Sequence, residues 1–181
     1  MIGNFIGDFV KGKNLGERYD QEVVRGIELH RAIDEYTDSH DVVQKSKVRL
    51  RPKYRHYSGV IVDMFYDHFL AKNWHNHHEI PLETFATTFY QTLKENEPQL
   101  PEEARRMMPY MIRGNWLLNY AQKEGIHQAL SGMSRRTSFD SKMDEAVADL
   151  SKNYVHFESE FNEFFPELKE FCQTWIQTKN P

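Results

Sequence analysis

Residues 60–70 read VIVDMFYDHFL. Eight of the eleven are apolar or aromatic, yet Asp63, Asp67 and His68 stand among them. The apolar positions do not alternate as a strand would require. The two aspartates are four apart, the spacing that stacks side chains on one helix face, with His68 about 100° further round. The stretch therefore reads as the middle of a helix, expected from roughly His56 to Trp74. A carboxylate in such apolar company costs several kcal/mol unless it is paired, protonated or bound to a metal. No lysine or arginine lies within the stretch to pair with it.

Helical spacing recurs on both sides, and no run of alternating residues flanked by hairpin turns appears. A helix is expected over Glu22 to Asp38, with Val23, Ile27, Ala32 or Ile33, and Tyr36 facing inward. Pro81 suits the first turn of PLETFATTFYQTLKEN, whose stripe is Leu82, Phe85, Phe89 and Leu93. Pro101 opens PEEARRMMPYMIRG, and Asn115 to Tyr120 and Gly125 to Met133 read as short helices. One long closing helix is expected from near Ser141, with Asp144 as a capping-box acid. Its seam runs through Met143, Val147, Leu150, Tyr154, Phe157, Phe161 and Phe164. No repeat or linker interrupts the 181 residues, so the expectation is an all-α, single-domain helical bundle over residues 1–181.

Composition excludes several classes. Hydrophobic content of 39% with 28% charged residues describes a soluble globular chain. A lone cysteine, Cys172, permits no intrachain disulfide and accords with a reducing compartment. No apolar run approaches the roughly 20 residues of a membrane span. The start, MIGNFIGDFV, has Asp8 inside its apolar stretch and no basic lead, so it is a poor signal peptide. A cytoplasmic protein is expected. The net charge of -4 hides an asymmetry: KSKVRLRPKYRH, residues 45–56, holds Lys45, Lys47, Arg49, Arg51, Lys53 and Arg55 with no acid. A basic loop on an acidic body fits a negatively charged partner, or else a solvated connector. Nucleic acid fits poorly, because the chain is acidic as a whole.

Three segments carry polar residues in patterned positions. In GIELHRAIDEYTD, His30, Asp34 and Asp38 fall at i, i+4 and i+8. In VIVDMFYDHFL, Asp63 and Asp67 repeat that spacing. In GNFIGDFVKG, Asn4 and Asp8 are four apart among glycines that permit close backbone approach. Helices that aim His and Asp inward are a common way for a bundle to hold a divalent metal. Mixed imidazole and carboxylate ligation suits Mn, Fe, Co or Zn better than calcium. The alternative for each pair is a plain surface hydrogen bond, with Asp38 solvated at a helix end or Arg31 neutralising Asp34 or Asp38. His75, His77 and His78 share no i, i+4 face, and Cys172 has no partner at catalytic spacing. Arg105/Arg106 and Arg135/Arg136 are small basic clusters, phosphate contacts or plain surface. No GxSxG, phosphate-binding GKS or GKT, or paired CxxC occurs.

GNFIGDFVKG, VVRGIELHRAIDEYTD, IVDMFYDHFLAKNW, NWLLNYAQKEGIHQALSGMSRR and FNEFFPELKEF together resemble the bacterial acyl carrier protein phosphodiesterases, in that family's order and over nearly the whole chain. Members usually carry a further apolar, histidine-containing helix ahead of the GN motif; either the start is truncated here or this version manages without it. The resemblance implies a fold akin to the HD-type metal phosphohydrolases, although the adjacent pair here is Asp67-His68 rather than His-Asp. It implies manganese-dependent hydrolysis of the link between 4′-phosphopantetheine and a serine of holo-acyl carrier protein. On that basis His30, Asp34, Asp63 and Asp67 are the expected metal shell, with Asp8 a further ligand or a base beside it. His68 is the expected acid for the leaving serine oxygen, and Arg31 and Asn4 the expected donors to phosphoryl oxygens. The basic segment is then expected to dock the acidic carrier protein. Two rivals remain open: a nucleotide phosphohydrolase on the same scaffold, and a non-catalytic binding protein for an acidic partner.

Overall fold

A computed structural model describes residues 1–179, and among them every regular element is helical. The chain runs through α1 (Ile2–Ile6), α2 (Gln21–Ser39), α3 (Asp41–Tyr54), α4 (Ser58–Lys72) and α5 (Leu82–Glu95). It continues through α6 (Glu102–Arg113), α7 (Trp116–Asn119), α8 (Lys123–Ser134), α9 (Ala146–Lys152) and α10 (Tyr154–Thr178). The expected all-α bundle is what forms.

Two departures from expectation have local causes. The basic segment is not a loop: most of it is α3. Val42, Val43, Ser46, Lys47, Leu50 and Tyr54 recur at helical spacing and are buried, and that stripe outweighs the density of charge around it. Only His40 separates α2 from α3, and its Nδ1 accepts the first free backbone N–H, from Val42 at 3.3 Å. The closing helix is broken in two. A 3₁₀ turn at Met143–Glu145 leads into α9, and the chain breaks again at Asn153, whose amide donates to the Asp149 carbonyl at 3.1 Å. Asp144 makes no capping box. It accepts from Ser134 Oγ at 3.1 Å, and the Ser141 hydroxyl takes the Met143 N–H at 3.4 Å. The seam nonetheless survives, with Met143, Leu150, Phe157, Phe161 and Phe164 all buried.

The apolar residues form two clusters. One gathers α3, α4, α8, α9 and α10 around Phe65, Phe69, Phe157 and Phe161. The other gathers α1, α5 and α6 around Ile6, Leu93 and Met108. Helix α2 joins them, with Ile27 in the second and Tyr36 packed on the first. The close approach of α1 to α2 depends on two glycines. A Cβ on Gly3 would overlap the Val23 carbonyl, and one on Gly26 would come within 2.8 Å of Asn4 N and Gly3 Cα.

Candidate metal centre

That approach carries the 3₁₀ turn Gly7–Phe9 against the middle of α2. Gly7 faces the His30 ring, with which any side chain at 7 would collide. Asp8 then lies beside His30: Asp8 Oδ1 is 3.1 Å and Asp34 Oδ2 3.2 Å from His30 Nε2. Donor atoms of these three residues lie within 4.8 Å of one another, the geometry of a group able to hold a metal ion. The hydrogen bond to His30 lowers the Asp8 pKa, and the same bond raises that of His30. Withheld solvent raises Asp34, with Asp8 and Asp38 adding like charge. The imidazole nitrogen and two carboxylate oxygens suit a divalent cation, and both carboxylates are exposed, which leaves room for water or substrate.

The donors open into a cleft along the seam between the two apolar clusters. Asn4 of α1, Asp38 of α2, Asp63, Tyr66 and Asp67 of α4, and Phe164 of α10 line it as well. Asp63 and Asp67 are therefore not core carboxylates. They sit on the exposed face of α4, while Ile61, Val62, Phe65 and Phe69 fill the buried side. The protein packed around them still withholds enough water to push Asp63 up to about 6 and Asp67 up to about 7. Asp63 also feels Asp38, Asp34 and Asp8, with Lys47 opposing, whereas Asp67 feels only Asp63. Of the two, Asp63 is the one that feels the Asp8 and Asp34 carboxylates, and neither residue belongs to the tight group.

Three expected catalytic residues fare differently. Asn4 faces the cleft. His68 does not: it is 2% exposed on another side of α4, wedged between α7 and α10. Its Nδ1–H donates to the Tyr120 carbonyl at 2.8 Å, and its Nε2 accepts from Tyr154 Oη at 2.9 Å. Burial lowers its pKa, so it is a neutral core anchor, not an acid for the cleft. Arg31 is also committed elsewhere. Its guanidinium donates to the carbonyls of Val10 at 2.9 Å and Gly12 at 3.1 Å, which ties the segment after Asp8 down to α2.

The six basic residues expected to face a partner divide in half. Lys47 is buried and pairs with Asp38 at 2.6 Å, at the back of the cleft. Arg49 makes a two-pronged bond to Glu160 at 2.8 and 2.7 Å, and Glu160 also takes the Ser46 hydroxyl. Lys53 holds Glu145 and Asp149 at 3.0 and 2.9 Å. Lys45, Arg51 and Arg55 stay exposed, with Val48 between them 57% exposed. Tyr66 and the Lys47–Asp38 pair were not picked out from the sequence as site features. Lys47 had a usable signal, since it falls on the apolar stripe of α3.

A family model described as acyl carrier protein phosphodiesterase matches residues 1–168. The chain belongs to the acyl carrier protein phosphodiesterase family. Relatives bearing that name include proteins of Photorhabdus laumondii, 31% identical over 94% of this chain and 86% of the relative, and of Pectobacterium atrosepticum, 30% identical over 96% and 90%. A third, from an Enterobacter species, is 33% identical over 99% of this chain and 90% of its own. No solved structure matches the chain. Three of the five segments that carried the resemblance bring polar residues to this cleft: Asp8 of the first, His30 and Asp34 of the second, Asp63 and Asp67 of the third. Among the described residues no helix is long and apolar enough to cross a membrane.

Proposed function

We propose that this protein is a cytoplasmic, metal-dependent phosphodiesterase that cleaves holo-acyl carrier protein into apo-protein and 4′-phosphopantetheine. The carrying observation is the group of Asp8, His30 and Asp34 donors within 4.8 Å, at the mouth of a cleft, in a member of this family. These three would hold the ion, with Asp63 a further ligand, and a mixed N/O set of this kind suits Mn²⁺. A divalent ion there supplies a water of lowered pKa and polarises a phosphoryl oxygen.

The remaining chemistry falls to side chains. Water oxygen bonds to phosphorus as the bond from phosphorus to the serine oxygen breaks, and that oxygen needs a proton. Asp67, a cleft carboxyl four residues on from Asp63, is placed to give that proton, a role that His68 cannot reach. The Asn4 amide donates to a non-bridging oxygen. Lys47 offsets the crowd of carboxylates behind the substrate. The exposed face of α3, with Lys45, Arg51 and Arg55 around Val48, docks the acidic carrier protein.

The test offers the protein, with Mn²⁺, holo-carrier protein in one reaction and cyclic or simple nucleotides in another. Turnover of the carrier protein with none of the nucleotides is expected. Nucleotide hydrolysis with the carrier protein untouched would replace this reading with the nucleotidase.

A further inference from the structure

A second hollow, sharing no lining residue with the cleft, lies between α7 and α8. It is a small recess walled by Trp116, Asn119, Tyr120, Gln128, Gly132 and Met133, with Arg136 among its lining residues. Trp116 packs on one apolar cluster and Tyr120 and Met133 on the other, so this recess opens along the same seam as the cleft. Tyr120 lines the recess, and its carbonyl accepts from His68, the sequence neighbour of the cleft residue Asp67. Its phenol is held above the usual range by burial and then by the Asp67 carboxylate, which lines the cleft. The His68 bond to its carbonyl fixes Tyr120 in that place.

Gly132 shows that the recess is kept open. It lies within α8 with ordinary helical backbone, and a Cβ there would meet no atom within 4 Å. Neither conformation nor packing calls for glycine, which in a helix interior costs about 1 kcal/mol relative to alanine. The wall combines apolar and amide surface. Asn119 donates its Nδ2 to the Gly114 carbonyl at 2.6 Å, which leaves its own carbonyl as an acceptor beside the Gln128 amide. Between the lining residues Gly114 and Trp116, Asn115 has left-handed backbone and a buried Oδ1 that takes no hydrogen bond.

Building on the proposed reaction, we propose that this recess receives the pantetheine arm of the substrate, the phosphodiester lying at the metal donors beyond Tyr120 and Asp67. The arm is a flexible chain with two amides and a terminal thiol, which matches a narrow slot of aromatic, thioether and carboxamide groups. Hydrophobic walls with a few placed polar groups are the usual make-up of a small-molecule site.

The test fills the slot. Gly132→Leu places a side chain into open space on a helix that favours it, so the fold is expected to melt at or above the wild-type temperature. Free pantetheine, followed by saturation-transfer NMR, should bind the wild type and not Gly132→Leu. With Mn²⁺ the variant should lose about tenfold or more in kcat/KM for holo-carrier protein. Its hydrolysis of bis(4-nitrophenyl) phosphate, a diester with no arm, should not change. Gln128→Ala, an exposed substitution, should raise the Kd for pantetheine. Equal pantetheine binding by wild type and Gly132→Leu, no binding by either, or displacement by AMP but not by pantetheine would overturn the assignment. Pantetheine bound in the recess of a wild type that leaves holo-carrier protein intact would uphold the recess and overturn the proposed reaction.

Discussion

Gly7 and His30 occupy adjoining space so closely that a Cβ on residue 7 would overlap the imidazole ring. The candidate metal donors therefore depend on a residue with no chemistry of its own. Gly7→Ala must push His30 away from Asp8 and Asp34. Overpacking of this kind destabilises by about 1–3 kcal/mol. A displacement near 1 Å at a catalytic group can lower turnover about a hundredfold. Thermal melting and kcat on holo-carrier protein check both, and a Gly7→Ala enzyme with wild-type turnover would refute the dependence.

The donor group predicts a ligand-linked stability. Mn²⁺ at a hundred times its Kd should stabilise the wild type by about 2.7 kcal/mol and raise Tm accordingly. His30→Ala and Asp34→Ala should each abolish that rise while the metal-free fold persists. An undiminished rise in both variants would place the ion elsewhere.

Charge reversal separates docking from folding on α3. Lys45→Glu, Arg51→Glu and Arg55→Glu together should lower kcat/KM at low ionic strength, and the deficit should shrink as salt is added. Arg49→Ala acts differently, because it leaves the Glu160 carboxylate, 12% exposed, with the Ser46 hydroxyl but no cation. A loss of about 3 kcal/mol in stability is expected there. Wild-type kcat/KM in the triple variant at low ionic strength would remove α3 as the docking face.

The raised carboxyls give stability a definite sign with pH. In metal-free protein Asp63 and Asp67 titrate near 6 and 7, above the ordinary 3.8 of the unfolded chain. Between about pH 4 and 7 the folded state holds protons that the unfolded state has released, so these groups lower stability as pH rises through that window. Asp67→Asn removes one of them. In EDTA it should melt higher than wild type at pH 8, by an amount that shrinks toward pH 4. His68, whose pKa is lowered, works in the opposite sense but is common to both proteins. A melting difference independent of pH would contradict the raised pKa of Asp67.

The helices were legible because their apolar spacing is strong, and His30 and Asp34 because i, i+4 on one helix needs no tertiary knowledge. Asp8 was legible through its glycines, which announce close packing before the partner helix is known. His68 misled for a physical reason. Its rotation around α4 was readable, but which neighbour occupies that side depends on how α7 and α10 pack. The basic segment misled because its charges mask a buried stripe, and Lys47, Arg49 and Lys53 find their acids on α2, α9, α10 and the turn before α9. Arg31 pairs with backbone carbonyls, which no residue pattern reveals. The break at Asn153 interrupts the helix without disturbing its apolar register, so spacing alone could not show it.

The most direct measurement is the intact mass of holo-acyl carrier protein after incubation with this protein and Mn²⁺, beside the same reaction in EDTA and one with His30→Ala. Loss of the phosphopantetheine mass is expected only with the wild type and metal. Loss in EDTA, or equal loss with His30→Ala, would contradict a reaction that depends on the Asp8–His30–Asp34 centre, and no loss in any tube would contradict the reaction itself.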